Sequence, residues 1–303
     1  MISSKNEWDT LKKVVLGSAT NANWPINDPV FTKTVSSYTL APTPKGPVAQ
    51  WIIDETNEDL DILAAILTSA GIEVIRPTDM DFTKFDGMYN YCPRDRLLIH
   101  GSAVIDVAMM YPCRDQEIQC LQSVLNEAEI VITMPRDQGL ILDAANICRL
   151  NDTWLFLNSA SGNIPAYNWL VKQLPDINIE LVKFYSGVHI DSTVTPLREG
   201  LVMLNGSRID DSNYPKVFKT WKRIYIQPDQ IIPNSYYEYP YASSWIALNM
   251  LVVNPQLVIV DAAQKKLIKI LEENQFDVIP LTLRHSRTLG GGFHCVTLDL
   301  IRE

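Results

Sequence analysis

Apolar and polar positions along the chain switch between two periods, and the switching itself repeats. "LLIHGSAVIDVAMM" (97–110) is two apolar runs around a His-Gly-Ser turn, which predicts a β-hairpin. The same shape returns in "NICRLNDTWLFLNS" (146–159) about Asn151-Asp152, in "STVTPLREGLVMLN" (192–205) about Glu199-Gly200, and in "ALNMLVVNPQLVIVDA" (247–262) about Asn254-Pro255. Successive hairpins begin roughly fifty residues apart, the spacing of arrays and propellers. Between them lies an amphipathic helix followed by one strand. "NEDLDILAAILTSAGIEVIRP" sets Leu60, Leu63, Ile66 and Leu67 on one helical face, with Gly71 as a stop and "IEVI" as the strand. "EIQCLQSVLNEAEIVITMP", "YNWLVKQLPDINIELVKF", "YPKVFKTWKRIYIQP" and "KKLIKILEENQFDVIPL" repeat the arrangement.

With "LKKVVLGSA" near one end and "CVTLDLIR" near the other, the chain reads as about five β-β-α-β modules. No module can bury its own faces, so the modules must share a core around a common axis. A doubly wound sheet would alternate strand and helix without hairpins. The predicted fold is therefore α/β: a five-bladed α/β propeller of ββαβ modules with pseudo-fivefold symmetry. It is expected to occupy residues 1–303 as a single domain without a linker.

Composition changes this picture only by exclusion. The 303 residues are 47% hydrophobic and 20% charged, ordinary globular values with ample material for a core. A net charge of -9 and no basic run argue against nucleic acid as a partner. Five cysteines, none in a CxxC pair, fit reduced thiols in a cytoplasmic protein better than a disulfide framework. The N-terminus lacks an apolar signal core. The most apolar stretch is broken by Asn249, Asn254 and Pro255, so no membrane span is expected.

In a propeller the chain returns to the axis once per module, so polar residues at matching module positions meet. "NYCPRDR" (90–96), "LDAANICR" (142–149), "GVHIDST" (187–193) and "GGGFHC" (290–295) each place reactive side chains at the mouth of an apolar hairpin. Cys295 with His189 and an acid, either Asp143 or Asp191, is the grouping that activates a thiol nucleophile. The glycines let the backbone turn closely and expose the thiol at the floor of a pocket. Strand alternation separates His294 from Cys295, which makes His294 a packing or surface histidine. Singly, each feature has a plain structural use. The cysteine packs in a tight turn, Asp143 caps a turn, and Asp95 pairs with Arg96.

Taken together and in order, "NEWDTLKKVVLGSA", "CPRD", "LDAANICR", "VHIDST" and "GGGFHC" resemble the amidinotransferases, including arginine:glycine and inosamine-phosphate amidinotransferases. The resemblance runs from about residue 6 to residue 300. It implies the pentein fold, a five-bladed α/β propeller, in agreement with the module count. By this resemblance Cys295 is the nucleophile, His189 the general acid/base and Asp143 the acid that orients it. Asp95 and Asp191 hold the guanidinium, Arg208 binds the substrate carboxylate, and Ser243 (or its neighbour Ser244) assists. Arg149 matches a structural arginine. The implied reaction moves the amidino group of L-arginine, through a covalent amidino-cysteine, to glycine, giving guanidinoacetate and ornithine. No metal or organic cofactor is implied, the partners are small-molecule substrates, and a homodimer is expected because relatives are often dimers.

Departures bear on the acceptor. Ser186 and Val188 replace the asparagine and methionine of glycine amidinotransferases, and Asn146 stands where an aspartate is frequent. On this reading the chain is expected to start directly at the catalytic domain, without the organelle-targeting extension of animal relatives. Two other readings keep the fold: a deiminase or dihydrolase with water as acceptor, and a non-enzymatic binding protein. Phe293-His294 before the cysteine favours transfer over hydrolysis, and the complete set of site residues argues against a binding protein.

Overall fold

A computed structural model describes residues 2–38, 43–233 and 241–303, without the side chains of 36–38. Among these, five three-stranded sheets repeat one plan. An antiparallel hairpin is followed by a helical crossover and a third strand parallel to the second. The first such sheet is Leu97–His100, Ala103–Asp106 and Ile130–Thr133. The second is Ile147–Leu150, Thr153–Leu157 and Asn178–Val182. The third is Val194–Arg198, Leu201–Asn205 and Lys222–Ile226. The fourth is Leu251–Asn254, Leu257–Asp261 and Asp277–Leu281. The chain's two ends make the fifth: Thr297–Arg302 pairs antiparallel with Leu11–Leu16, and Glu73–Ile75 adds in parallel.

The hairpins fall where their turn residues predict. His100 pairs with Ala103, Leu150 with Thr153, Arg198 with Leu201 and Asn254 with Leu257, so each loop has two residues. Three of these loops need a left-handed residue, supplied by Gly101, Asn151 and Gly200 (φ 55, 62 and 80°). Burial grades outward across each blade. Ile147–Leu150 is buried throughout, whereas the outer strand Ile130–Thr133 leaves Ile130 and Val131 exposed. That gradient is what strands stacked around an axis produce.

The helix Gln50–Ser69 buries Leu60, Leu63 and Leu67 and half-buries Ile66, the predicted face, but starts seven residues earlier than the quoted pattern. Two crossovers depart from expectation. "EIQCLQSVLNE" is 3-10 as far as Leu121 and α-helical only over Gln122–Glu127. "YPKVFKTW" is only a 3-10 turn, Lys216–Thr220, because Pro215 caps its start and five residues cannot repay α-helix nucleation. Among the described residues no helix is long and apolar enough to cross a membrane.

The axis is charged. Arg149 bonds Glu7 (2.9 Å) and Asp299 (3.2 Å), Arg94 bonds the same two carboxylates (3.3 and 2.6 Å), and Arg302 bonds Asp299 (2.7 Å). All five are buried, and the mutual pairing offsets their desolvation. Arg96 is buried too, but it pairs with Asp106 and not, as the simple structural reading has it, with Asp95.

Candidate active site

The glycine run is explained by close packing. Gly290 ends the short helix Ser286–Leu289 in the left-handed region, at φ 82°. A Cβ on Gly291 would lie 2.5 Å from the Cys92 sulfur, and one on Gly292 would lie 2.7 Å from the Asn249 carbonyl oxygen. The turn therefore presses Cys295 inward. The thiol is buried (2% exposed), not displayed on a pocket floor as the sequence suggests. Asn249 clamps it from both sides. Its Oδ1 accepts the Cys295 N–H (2.9 Å), and its Nδ2 donates to Sγ (3.1 Å). Sγ also lies 3.2 Å from Asp191 Oδ2.

His189 faces the thiol from the loop before the third hairpin, with a left-handed backbone (φ 55°) that only a well-determined surrounding sustains. The Tyr185 hydroxyl donates to the carbonyls of Val188 (2.7 Å) and His189. His189 Nε2 meets Asp143 Oδ2 at 3.0 Å, and Asp143 Oδ1 accepts the Met110 N–H at 2.8 Å. Asp143 precedes a 3-10 turn, but its side chain does not cap it. Of the two acids open for His189, Asp143 is thus the one bonded to it, while Asp191 faces the thiol.

Asp95 is held by Arg114 through Oδ2 (2.8 Å), and its Oδ1 lies 3.7 Å from His189 Nδ1. That Oδ1 is buried without a hydrogen bond. One donor atom each from Asp95, His189 and Cys295 lies within 4.8 Å of the others, a set that is also compatible with a borderline-soft cation such as zinc.

Burial opposes charge on His189, but Asp95, Asp143 and the thiol outweigh it and hold the imidazole well above its usual pKa. The Cys92 thiol, burial and the Asp191 carboxylate push Cys295 well above an ordinary thiol, with His189 giving partial relief. Burial also raises Asp95, against His189 and Arg114. For Asp191 burial acts upward, but His294, His189 and the thiol prevail and keep it ionised. These directions favour an imidazolium at His189 and a neutral thiol at Cys295.

Two predicted site residues lie apart from this cluster. Arg208 donates to Thr193 Oγ1 (2.6 Å) and stacks 3.9 Å over the Tyr185 ring, which connects it to the His189 loop. Burial lowers its pKa. Ser243 is exposed and precedes the 3-10 helix Ser244–Leu248; among the described residues neither serine hydroxyl contacts the cluster. His294 is a correction. Instead of pointing away, it bonds Asp191 Oδ2 through Nδ1 (2.9 Å) and Glu7 through Nε2 (3.3 Å). The residues Phe293 to Val296 form a turn, so the strand alternation that separates neighbours does not apply. Asn249 was legible only as a polar break in an apolar run, and Cys92 and Glu7 only as members of motifs.

No family model matches the chain. Curated relatives do. The inosamine-phosphate amidinotransferase 1 of Streptomyces griseus is 36% identical, with the alignment covering 100% of this chain and 97% of that protein. The L-arginine:L-lysine amidinotransferase of Pseudomonas savastanoi pv. phaseolicola is 26% identical over 100% of this chain and 94% of its own length. Among solved structures, the inosamine-phosphate amidinotransferase of Streptomyces griseus superposes with a TM-score of 0.91 at 33% identity, covering 100% and 97% of the two chains. Dimethylarginine dimethylaminohydrolase (TM-score 0.67, 15% identity, 95% and 99% covered) shares the fold alone. A propeller of five ββαβ blades, a buried thiol beside His189, Asp95 and Asp191 with Asp143 bonded to the histidine, and identity along the whole chain lead to one conclusion: the chain belongs to the amidinotransferase family and has the pentein fold.

Proposed function

We propose that this enzyme takes the amidino group of L-arginine onto Cys295 and passes it to a primary amine. The observation that carries the donor assignment is the buried Asp95 Oδ1 without a hydrogen bond, on a carboxylate within 4.8 Å of a sulfur that Asp191 Oδ2 also reaches at 3.2 Å. A buried acceptor oxygen without a donor is costly, and a planar cation with several N–H groups supplies both the hydrogen bonds and the missing charge. The guanidinium lies between the two carboxylates, and as its positive charge binds, the thiol releases its proton to solvent and becomes a thiolate. Sγ then attacks the guanidinium carbon, forming a C–S bond and a tetrahedral adduct. His189, protonated at rest, gives its proton to the departing δ-nitrogen; the C–N bond breaks and ornithine leaves. The amidino-cysteine remains. Neutral His189 then removes a proton from the incoming amine, whose nitrogen attacks the amidino carbon, and the C–S bond breaks to return the thiolate. Asp143 orients His189, Arg208 binds the substrate carboxylate, and Ser243 assists.

Glycine is the acceptor that the motifs suggest, giving guanidinoacetate. A bulkier amine is favoured by similarity. The relatives at 36% and 34% identity are described as inosamine-phosphate amidinotransferases, whereas glycine amidinotransferase of Xenopus tropicalis is 24% identical. The small Ser186 and Val188 of the His189 loop agree with that larger acceptor.

Purified protein incubated with L-arginine, with and without glycine or an aminocyclitol phosphate, decides by mass spectrometry. Catalytic ornithine that requires one amine, together with its guanidino product, supports transfer and names the acceptor. Citrulline or urea formed without an amine means water is the acceptor. A Cys295→Ala variant that still transfers refutes the covalent mechanism.

A further inference from the structure

The mechanism leaves unused a histidine and a glutamate that meet behind the site. His294 stands between two carboxylates, 2.9 Å from Asp191 Oδ2 and 3.3 Å from Glu7 Oε2. Carboxylate oxygens accept, so the ring is the donor toward them. Glu7 is itself immobile: Arg149 donates to it from its backbone N–H (3.1 Å), Nε (2.9 Å) and Nη2 (3.1 Å), and Arg94 from Nη1 (3.3 Å). Arg94 Nε also donates to the His294 carbonyl (2.7 Å). His294 is thereby fixed to the charged axis through its ring and its backbone.

What this fixes is Asp191. Asp191 lies two residues after the left-handed His189, on a loop and not on a strand. A carboxylate there needs a partner to hold its rotamer. His294 and the Cys295 thiol both engage Oδ2, which leaves Oδ1 for an incoming N–H. We propose that His294, anchored by Glu7, is a positioning residue that sets the orientation of the Asp191 carboxylate toward the substrate guanidinium. The inference rests on the arginine-donor reading above. It also gives the His-Cys pair of "GGGFHC" a reason: the turn carries the nucleophile and the anchor of its facing carboxylate on neighbouring residues.

Single-turnover amidination of Cys295 by L-arginine alone, followed on intact protein by mass spectrometry, tests this without any acceptor. Three variants separate the two contacts. His294→Leu removes both. His294→Asn keeps a donor near the Nδ1 position, toward Asp191. His294→Gln keeps one near Nε2, toward Glu7. Misplacing a reacting group costs about 10²-fold, so His294→Leu is expected to lose about that much in maximal rate over half-saturating arginine, with both quantities affected. His294→Asn should recover about tenfold of this loss, and His294→Gln should not. Thermal midpoints measured alongside remove folding from the comparison, and if the leucine variant does not fold, the Asn and Gln pair alone decides. Equal rates for Asn and Gln, or a leucine variant as fast as wild type, overturn the proposal. If the wild-type thiol itself takes no amidino group from arginine, the donor assignment fails and this inference falls with it.

Discussion

Asp143→Asn is the sharpest probe of how the site sets the charge on His189. The carboxylate meets His189 Nε2 at 3.0 Å with one oxygen and accepts the Met110 N–H at 2.8 Å with the other. An asparagine that keeps its oxygen on Met110 turns its amide nitrogen toward His189. Two donors then face each other, and the ring avoids the clash only by giving up the Nε2 proton. Two unit charges 3.0 Å apart attract by about 5 kcal/mol at an effective dielectric of about 20, before desolvation is counted. The net worth of a hydrogen bond to a charged group is smaller, about 1.5–3 kcal/mol. Taking about 2–3 kcal/mol, His189 should give up its proton at lower pH and ornithine release should slow by about 30–150-fold. Burial opposes charge on the imidazole, but Asp95 and Asp143 raise His189 in the folded protein, and in the proposed mechanism it acts in its protonated form in the first half-reaction. The rate is therefore lost as pH rises through its folded pKa. Rapid-quench ornithine release against pH should show this alkaline limb moved to lower pH in the variant. A limb that stays in place would mean that Asp143 does not hold the proton on His189, and the assignment of the acid would be wrong.

Two further outcomes follow from the packing. Gly291→Ala puts a methyl 2.5 Å from the Cys92 sulfur and 3.1 Å from the Cys295 Cβ, so it should destabilise the protein by about 1–3 kcal/mol and slow amidination; in a Cys92→Ala background the urea midpoint should recover, and failure to recover would place the strain elsewhere. Burial works against the Glu7 carboxylate, but Arg149, His294 and Arg94 hold it well below its usual 4.5, and Arg302, Arg94 and Arg149 do the same for Asp299. Because both are lowered, their stabilisation is present above the unfolded values and lost as pH falls through the folded ones. The urea midpoint should hold steady near pH 6 and decline below about pH 4; a midpoint unchanged down to pH 3 would count against the axial network.

The hairpins and their turns were legible because a two-residue loop and its flanking apolar runs are local events. Asn151-Asp152 and Glu199-Gly200 carry the left-handed residue that closes the turn, and nothing distant alters that need. The crossovers were less so. "YPKVFKTW" has helical spacing over too short a span after Pro215, so it stays a 3-10 turn. The catalytic candidates were legible as residue types in order, while their pairing was not. Whether Asp143 or Asp191 faces His189 depends on how two loops from different blades approach, a distance of 46 residues in sequence for one bond and 104 for the thiol contact.

His294 marks the boundary most clearly. Period-two alternation is a property of strands, and it sends neighbours to opposite faces. The turn at Phe293 to Val296 breaks that period, so a histidine expected to turn away instead meets Asp191 and Glu7. From its order of residues alone, this chain determines five hairpin-bearing modules, a reduced thiol after a glycine run, and the acids and histidines that recur at module mouths. Only the closed tertiary structure decides which carboxylate takes which partner, that the thiol is buried, and that the axis is wired by Glu7, Arg94, Arg149, Asp299 and Arg302. The physical reason is that buried charges must find partners through space, and around a propeller axis those partners come from every part of the chain.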